Sequence, residues 1–136
     1  MDYAHIDKSR FPLVTIAFAD FEPSPKQFQS YLNQLDELHI DTDRFFLLID
    51  ASRARFLNAE MRTKHAEWIR KRQNLIRNNI WGMAFVLPNL ALRLMLRALL
   101  AMQDITVPYK IFSTPEEALA YFEASLHSSQ GQLQTV

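Results

Sequence analysis

Short apolar runs alternate with amphipathic segments along this chain. Residues 11–18, 44–50, 80–87 and 107–112 are rich in apolar and β-branched side chains, which is typical of strands that are covered on both faces. The segments between these runs repeat apolar residues three and four positions apart, which predicts helices that bury one face. The order β-α-β-α-β-α-β-α predicts an α/β sandwich of two or three layers, with a four-stranded, mainly parallel sheet.

Capping residues mark where the predicted helices begin. Ser24, Pro25 and Gln27 form a capping-box arrangement before the first helix. Asn58 can cap a second helix that reaches residue 78 or 79. Residues 90–102 are apolar nearly all round, so we expect this third helix to be covered on more than one side.

The predicted elements define one domain. Residues 11–126 contain the regular pattern, and the chain of 136 residues, 49% of them apolar, is long enough to bury a core. Residues 1–10 form an N-terminal extension that could add a fifth strand only weakly. Residues 127–136 are polar, and we expect a flexible tail. Gly82, inside the third strand, indicates a place where a side chain would obstruct close packing.

Charge and composition exclude several classes of function. Fifteen basic and fifteen acidic side chains balance, so no global field attracts nucleic acid or an anionic membrane. Residues 53–77 are nevertheless basic, with eight cations and two acids. The chain has no cysteine, no visible secretory signal and no apolar run long enough to be a confident membrane span, which favours a cytoplasmic protein.

One segment resembles a known family. Residues 47–60 run from an apolar strand through Asp50 and Ser52 to a helix start, and they resemble the middle of a STAS domain, the anti-anti-sigma-factor fold. Residues 109–119 are similar to the last strand and helix of such domains. The pattern also resembles the STAS-like group related to truncated CRAL-TRIO lipid-transfer domains. The resemblance covers roughly residues 11–126 and implies a non-catalytic interaction or regulatory module.

The expected switch residue of that family is missing. STAS proteins that act as partner switches carry a phosphorylatable serine or threonine at the start of the helix after the second strand. The equivalent positions here are Asn58, Ala59 and Glu60. The resemblance therefore implies a protein that is either constitutive or controlled at another position.

Catalysis is not indicated by any motif. Asp50 could be an acid or a metal ligand, but an aspartate at a strand end more often bonds the neighbouring loop, and Ser52 has the same structural interpretation. His65 lies on the inner stripe of the second helix, where a core role is favoured. No HExxH motif, glycine-rich phosphate loop or nucleophile elbow is present. We expect no enzyme activity, no metal and no cofactor.

Two surfaces are candidates for recognition. The first comprises the loop after the second strand, the basic helix and the arginines of the third helix, and it would bind a protein partner, possibly an acidic one, with nucleic acid less favoured. Its candidate residues are Asp50, Ser52, Arg53, Arg55, Asn58, Arg70, Arg72, Arg93 and Arg97.

The second surface is the apolar helix over residues 90–102. Its candidate residues are Leu92, Met95, Leu96, Leu99 and Met102. Self-association into a homodimer is the simplest interpretation of an apolar patch there. The alternative is a pocket for a lipid or small molecule between this helix and the sheet, and burial within the monomer also stays open.

Overall fold

The structure, a computed structural model, describes residues 2–41, 43–55, 57–102 and 107–135. Its strands and helices follow in the order β1 (Ala4–Arg10), β2 (Leu13–Phe18), α1 (Pro25–Asp41), β3 (Phe45–Asp50), α2 (Ala59–Lys71), α3 (Gln73–Asn79), β4 (Ile80–Val86), α4 (Leu90–Met102), β5 (Tyr109–Phe112) and α5 (Pro115–Thr135).

The sheet has five strands, so the expectation of four was wrong. Strands β2 to β5 pair in parallel and in chain order, while β1 pairs antiparallel with β2 at the edge. The N-terminal segment becomes a strand because Ala4 is buried and Ile6 packs on the core. These two apolar residues lie among charged ones, so the sequence pattern indicates a strand only weakly. The register of β1 is irregular between Asp7 and Arg10.

The helices divide unequally between the two faces of the sheet. Helices α1 to α4 share one face, where they bury Val14, Leu47 and Met83. Helix α5 alone covers the other, where Phe46 and Ala84 are fully buried. The domain therefore has three layers, one of which is a single helix.

The predicted second helix is two helices. α2 ends at Lys71 and α3 begins at Gln73, with Arg72 between them at φ −117° and ψ 19°. The Arg72 guanidinium binds both oxygens of Asp36 on α1, with Nε–Oδ1 at 2.5 Å and Nη2–Oδ2 at 3.1 Å. It also lies 4.7 Å from the centroid of the Trp68 ring. This contact turns the chain at a position where the apolar periodicity gives no sign of a break.

The last helix also ends later than predicted. The sequence places its end near residue 126, whereas the backbone of α5 is helical to Thr135. Residues 127–135 contain no proline, so nothing in the backbone stops the helix, and Gly131 alone is a weak breaker. The polar composition that suggested a tail does not by itself break a helix.

Gly82 is required by the packing of Phe46, as the strand pattern predicted. A Cβ at position 82 would lie 2.8 Å from Phe46 Cε2. The Phe46 ring cannot move away easily because it packs against Trp81, Tyr121 and Phe122. The glycine thus allows a large aromatic ring to fill the layer under α5.

We expect Gly82→Ala to lower the free energy of unfolding by about 1–3 kcal/mol, because an added methyl group overpacks this layer. Urea denaturation measures the change. In a Phe46→Leu background the same substitution should lower the free energy of unfolding by a smaller amount, because the ring atoms that it would crowd are gone. An equal cost in both backgrounds would contradict the steric explanation.

Candidate functional site

The main candidate site is an apolar cavity at the carboxyl ends of the parallel strands, where ligands commonly bind in open α/β sheets. Its volume is about 240 Å³. Its walls come from β2, β3, β4, the loop after β3, the start of α2, and α4. The residues that line it are Phe18, Tyr31, Ile49, Ala51, Ala54, Arg55, Leu57, Arg62, His65, Phe85, Leu87, Leu92, Met95 and Leu96.

Helix α4 forms the outer wall of this cavity. Leu92, Met95 and Leu96 point inward from one stripe of the helix, since they are three and four positions apart. The sheet supplies the opposite wall with Ile49 and Phe85, which are neighbours on β3 and β4. Side chains of this kind make a wall that can adapt its shape, because methionine and leucine have several accessible rotamers.

A second, smaller cavity adjoins the first between the sheet and helices α1 to α3. Its volume is about 80 Å³, and its lining is largely apolar, including Leu35, Leu47 and Ile76. Three side chains line both cavities, and they are Tyr31, Ile49 and His65. These residues therefore separate an outer space under α4 from an inner space under α1.

Tyr31 and His65 are a polar pair at this boundary. The Tyr31 hydroxyl lies 3.5 Å from His65 Nε2, and the two rings are stacked with centroids 6.0 Å apart. Burial raises the pKa of the Tyr31 hydroxyl and lowers the pKa of the His65 imidazole to about 4. Both side chains are therefore neutral at pH 7, and the boundary between the cavities carries no charge.

Two guanidinium groups line the outer cavity. Arg55 forms an exposed ion pair with Asp20, with Nε–Oδ1 at 2.9 Å. Arg62, in the first turn of α2, donates from Nη1 to the Leu57 carbonyl oxygen at 3.2 Å. Among the described residues that line the cavity, none carries a carboxylate. The charged side chains that line the cavity therefore give it a positive potential.

Asp50 and Ser52 bond each other within the loop after β3. Asp50 Oδ1 accepts from the Ser52 amide at 3.1 Å and from the Ser52 hydroxyl at 2.6 Å. The loop closes as a turn in which the Ala54 amide donates to the Ala51 carbonyl at 3.1 Å. This is the local structural role that an aspartate at a strand end commonly has. His5 is two strands away from Asp50 on the same face of the sheet, roughly 10 Å by strand spacing.

Comparison with known proteins shows the fold. The chain is similar to the crystal structure of an uncharacterized protein of the DUF3478 family with a SpoIIAA-like fold from Shewanella loihica PV-4, with a TM-score of 0.67. The match covers 88% of this chain and 91% of that chain at 13% sequence identity. This chain has a SpoIIAA-like fold. No protein-family model matches it, and no curated protein is significantly similar to it.

The SpoIIAA-like fold, which is the STAS fold, confirms the resemblance that residues 47–60 indicated. Asn58 caps α2, because its side chain accepts from the Met61 amide at 2.9 Å. The Asn58 side chain thus satisfies a backbone amide in the first turn of α2.

The basic candidates for partner binding are not all available on the surface. Arg72 is engaged by Asp36 and Trp68, and Arg55 by Asp20. Arg93 is half-buried, and its Nε is a buried nitrogen without a hydrogen-bond partner among the described residues. The three candidates whose side chains are exposed without such a contact are Arg53, Arg70 and Arg97.

The apolar candidates on α4 are brought together in part. Leu92, Met95 and Leu96 all line the outer cavity. The side chains of Leu99 and Met102 lie outside the described part of the chain.

Sequence reasoning did not find Tyr31 as a site residue, because its spacing in α1 is that of an ordinary core position. A tyrosine on a buried stripe was the available signal, since its hydroxyl needs a partner there.

The described part of the chain contains no cluster of three His, Asp or Glu side chains that could hold a metal ion. None of its helices is both long and apolar enough to cross a membrane.

We expect His65 to make stability depend on pH. The group titrates near pH 6.5 in a free chain and near 4 when folded, so the unfolded state binds the extra proton between these values. Stability is therefore complete above pH 6.5 and falls as the pH drops toward 4. Chemical denaturation should show a loss of about 2 kcal/mol between pH 7.5 and pH 5.

The variant His65→Gln keeps a polar partner for Tyr31 but does not titrate, so most of this loss should disappear. Burial also lowers the pKa of His39, which accounts for a residual dependence. His5→Gln, on the exposed side of β1, is the control and should retain the full loss. An unchanged pH dependence in His65→Gln would show that this histidine is not the source.

Proposed function

We propose that this protein binds a small apolar or amphipathic molecule in the cavity between α4 and the sheet. The observation that carries the proposal is the cavity of about 240 Å³ at the carboxyl ends of β2, β3 and β4. Together with the adjoining cavity of about 80 Å³, it reaches the lower end of the range for ligand sites, about 300 Å³.

The composition of the walls supports an apolar ligand. Leucine, methionine, isoleucine and phenylalanine side chains form most of the lining, and few polar groups enter it. Ligand pockets usually have this character, with a small number of polar groups that orient the ligand. The polar groups here are the neutral pair of Tyr31 and His65 inside and two arginines outside.

The proposed role is non-catalytic and regulatory. Asp50 and Ser52 bond each other, while His65 bonds Tyr31 in a different layer, so the arrangement does not form a nucleophile with its base. Occupancy of the cavity would take the place of the missing phosphorylation switch at the start of α2. It can do so because the ligand would contact both the Arg62 turn and α4.

A neutral apolar fluorophore, N-phenyl-1-naphthylamine, tests the proposed site. We expect the wild-type protein to bind it with an increase in emission. Leu96→Trp should weaken binding at least about tenfold, because the indole would occupy the space between α4 and the sheet. Leu94→Trp is the matched control, since Leu94 lies on the same helix but is 60% exposed. The proposal is wrong if the wild type does not bind the probe or if both variants lose it equally.

A second candidate function is protein interaction through the outer face of α4. Leu90 and Leu94, four positions apart on this helix and absent from the cavity lining, are 65% and 60% exposed. Exposed apolar side chains grouped on one helix commonly mark an interface. We propose a homodimer formed by this face as the simplest case, with the exposed Arg53 and Arg70 available to an acidic protein partner.

Sedimentation velocity tests the dimer. We expect wild-type protein to sediment as a dimer at micromolar concentration and Leu94→Lys as a monomer, because a buried unpaired ammonium group is costly. Leu75→Lys on α3 is the control, because Leu75 is also an exposed large apolar residue but lies away from α4. A monomeric wild type, or a dimer that tolerates Leu94→Lys, would exclude this interface.

A further inference from the structure

We infer that the ligand carries one anionic group, a carboxylate or a phosphate monoester, which Arg62 binds at the mouth of the outer cavity. The apolar part of the ligand then lies between α4 and the sheet and extends toward Tyr31 and His65. This inference rests on the proposed function, since it assigns the chemical class and the orientation of the ligand in the same cavity.

The charges at the cavity favour an anion. Arg55 and Arg62 are the charged side chains among the described lining residues, and both are cations. The carboxylate nearest along the chain to Arg62 is Glu60, whose Oε1 pairs with Lys64 Nζ at 3.5 Å on the exposed side of the helix. An apolar cavity with a positive mouth is complementary to an amphiphile with a negative head.

The two arginines have different partners. The Arg55 charge is already paired with Asp20, and both side chains are well exposed. Arg62 instead contacts a carbonyl oxygen, that of Leu57, which orients the guanidinium without neutralising it. The positive end of the α2 dipole adds to the attraction, because Arg62 is in the first turn of that helix. Arg62 is therefore the main anion-binding residue, and a guanidinium can hold a carboxylate or phosphate through two parallel hydrogen bonds.

The inner end of the cavity sets the orientation. His65 is half-buried and neutral at pH 7, so it offers no positive charge to an anion placed inside. Tyr31 can donate one hydrogen bond at most, and Leu35, Leu47 and Ile76 beyond it are apolar. An anion would lose its hydration there without a cationic partner, which is costly. The head group therefore faces outward at Arg62, and the apolar chain faces inward.

Displacement of N-phenyl-1-naphthylamine by ligands of matched chain length tests this inference. The competitors are decanoate, decyl phosphate, decanol and decylamine, each below its critical micelle concentration at pH 7.5. We expect decanoate or decyl phosphate to compete at least about tenfold more strongly than decanol, and decylamine to be the weakest. The relative strength of the two anions distinguishes a carboxylate ligand from a phosphate ligand.

Arg62→Gln should remove the preference for anions and leave the affinity for decanol unchanged. Lys64→Gln is the matched control, because Lys64 is an exposed cation on the same helix that does not line the cavity. It should retain the preference, and Arg55→Gln should reduce it only slightly.

The outcomes separate this inference from the proposed function. Equal competition by decanoate and decanol in the wild type would overturn the anionic class while leaving ligand binding intact. Equal weakening of every competitor in Arg62→Gln would show that Arg62 only supports the cavity wall, and would also overturn the inference. Failure of the probe to bind the wild type would instead exclude the proposed function.

Discussion

The structure depends on a topological constraint: four parallel strands lie in the sheet in the same order as in the chain. Every crossover connection then moves along the sheet in the same direction. Because such connections are right-handed, their helices must all lie on one face of the sheet. Helices α1 to α4 crowd that face, and α5 alone covers the other. The cavities lie in the crowded layer, between the sheet and helices α1, α2, α3 and α4. The position of the site is thus a consequence of strand order.

Within that layer, one polar contact holds the helices in relation to each other. Asp36 on α1 receives hydrogen bonds from Arg72 and from Trp68 Nε1, the latter at 3.1 Å. Arg72 is also the residue at which α2 ends and α3 begins. The contact therefore sets where α2 ends and how it lies against α1. Since Arg62 and His65 are carried by α2, the same contact positions both the mouth and the inner boundary of the cavity.

Most of the fold could be predicted from local patterns, and the exceptions have physical causes. The parallel strands, the Asn58 cap and the packing role of Gly82 follow from short-range signals, because continuous apolar runs, capping side chains and glycine each have a local meaning. Strand β1 was underestimated because its apolar residues are few and its stability comes from pairing with β2. The break at Arg72 was invisible because it depends on Asp36, which is distant in the sequence.

The site was only partly predictable for the same reason. Leu92, Met95 and Leu96 were recognisable because one apolar helix had more large side chains than a sheet face can bury. The pairing of Tyr31 with His65 was not, since each looks like an ordinary core residue within its own helix. Arg62 has no distinguishing mark within a basic segment. Its place at the cavity follows from the packing of α2 against the sheet.

The two edges of the sheet have a consequence for the folding chain. The outer strand β1 carries Asp7, Lys8 and Arg10 and has an irregular register, and the opposite strand β5 is four residues long and follows Pro108. Charged side chains, bulges and short lengths all discourage another strand from pairing with an exposed edge. Both edges of the sheet are therefore protected against edge-to-edge aggregation while the chain folds.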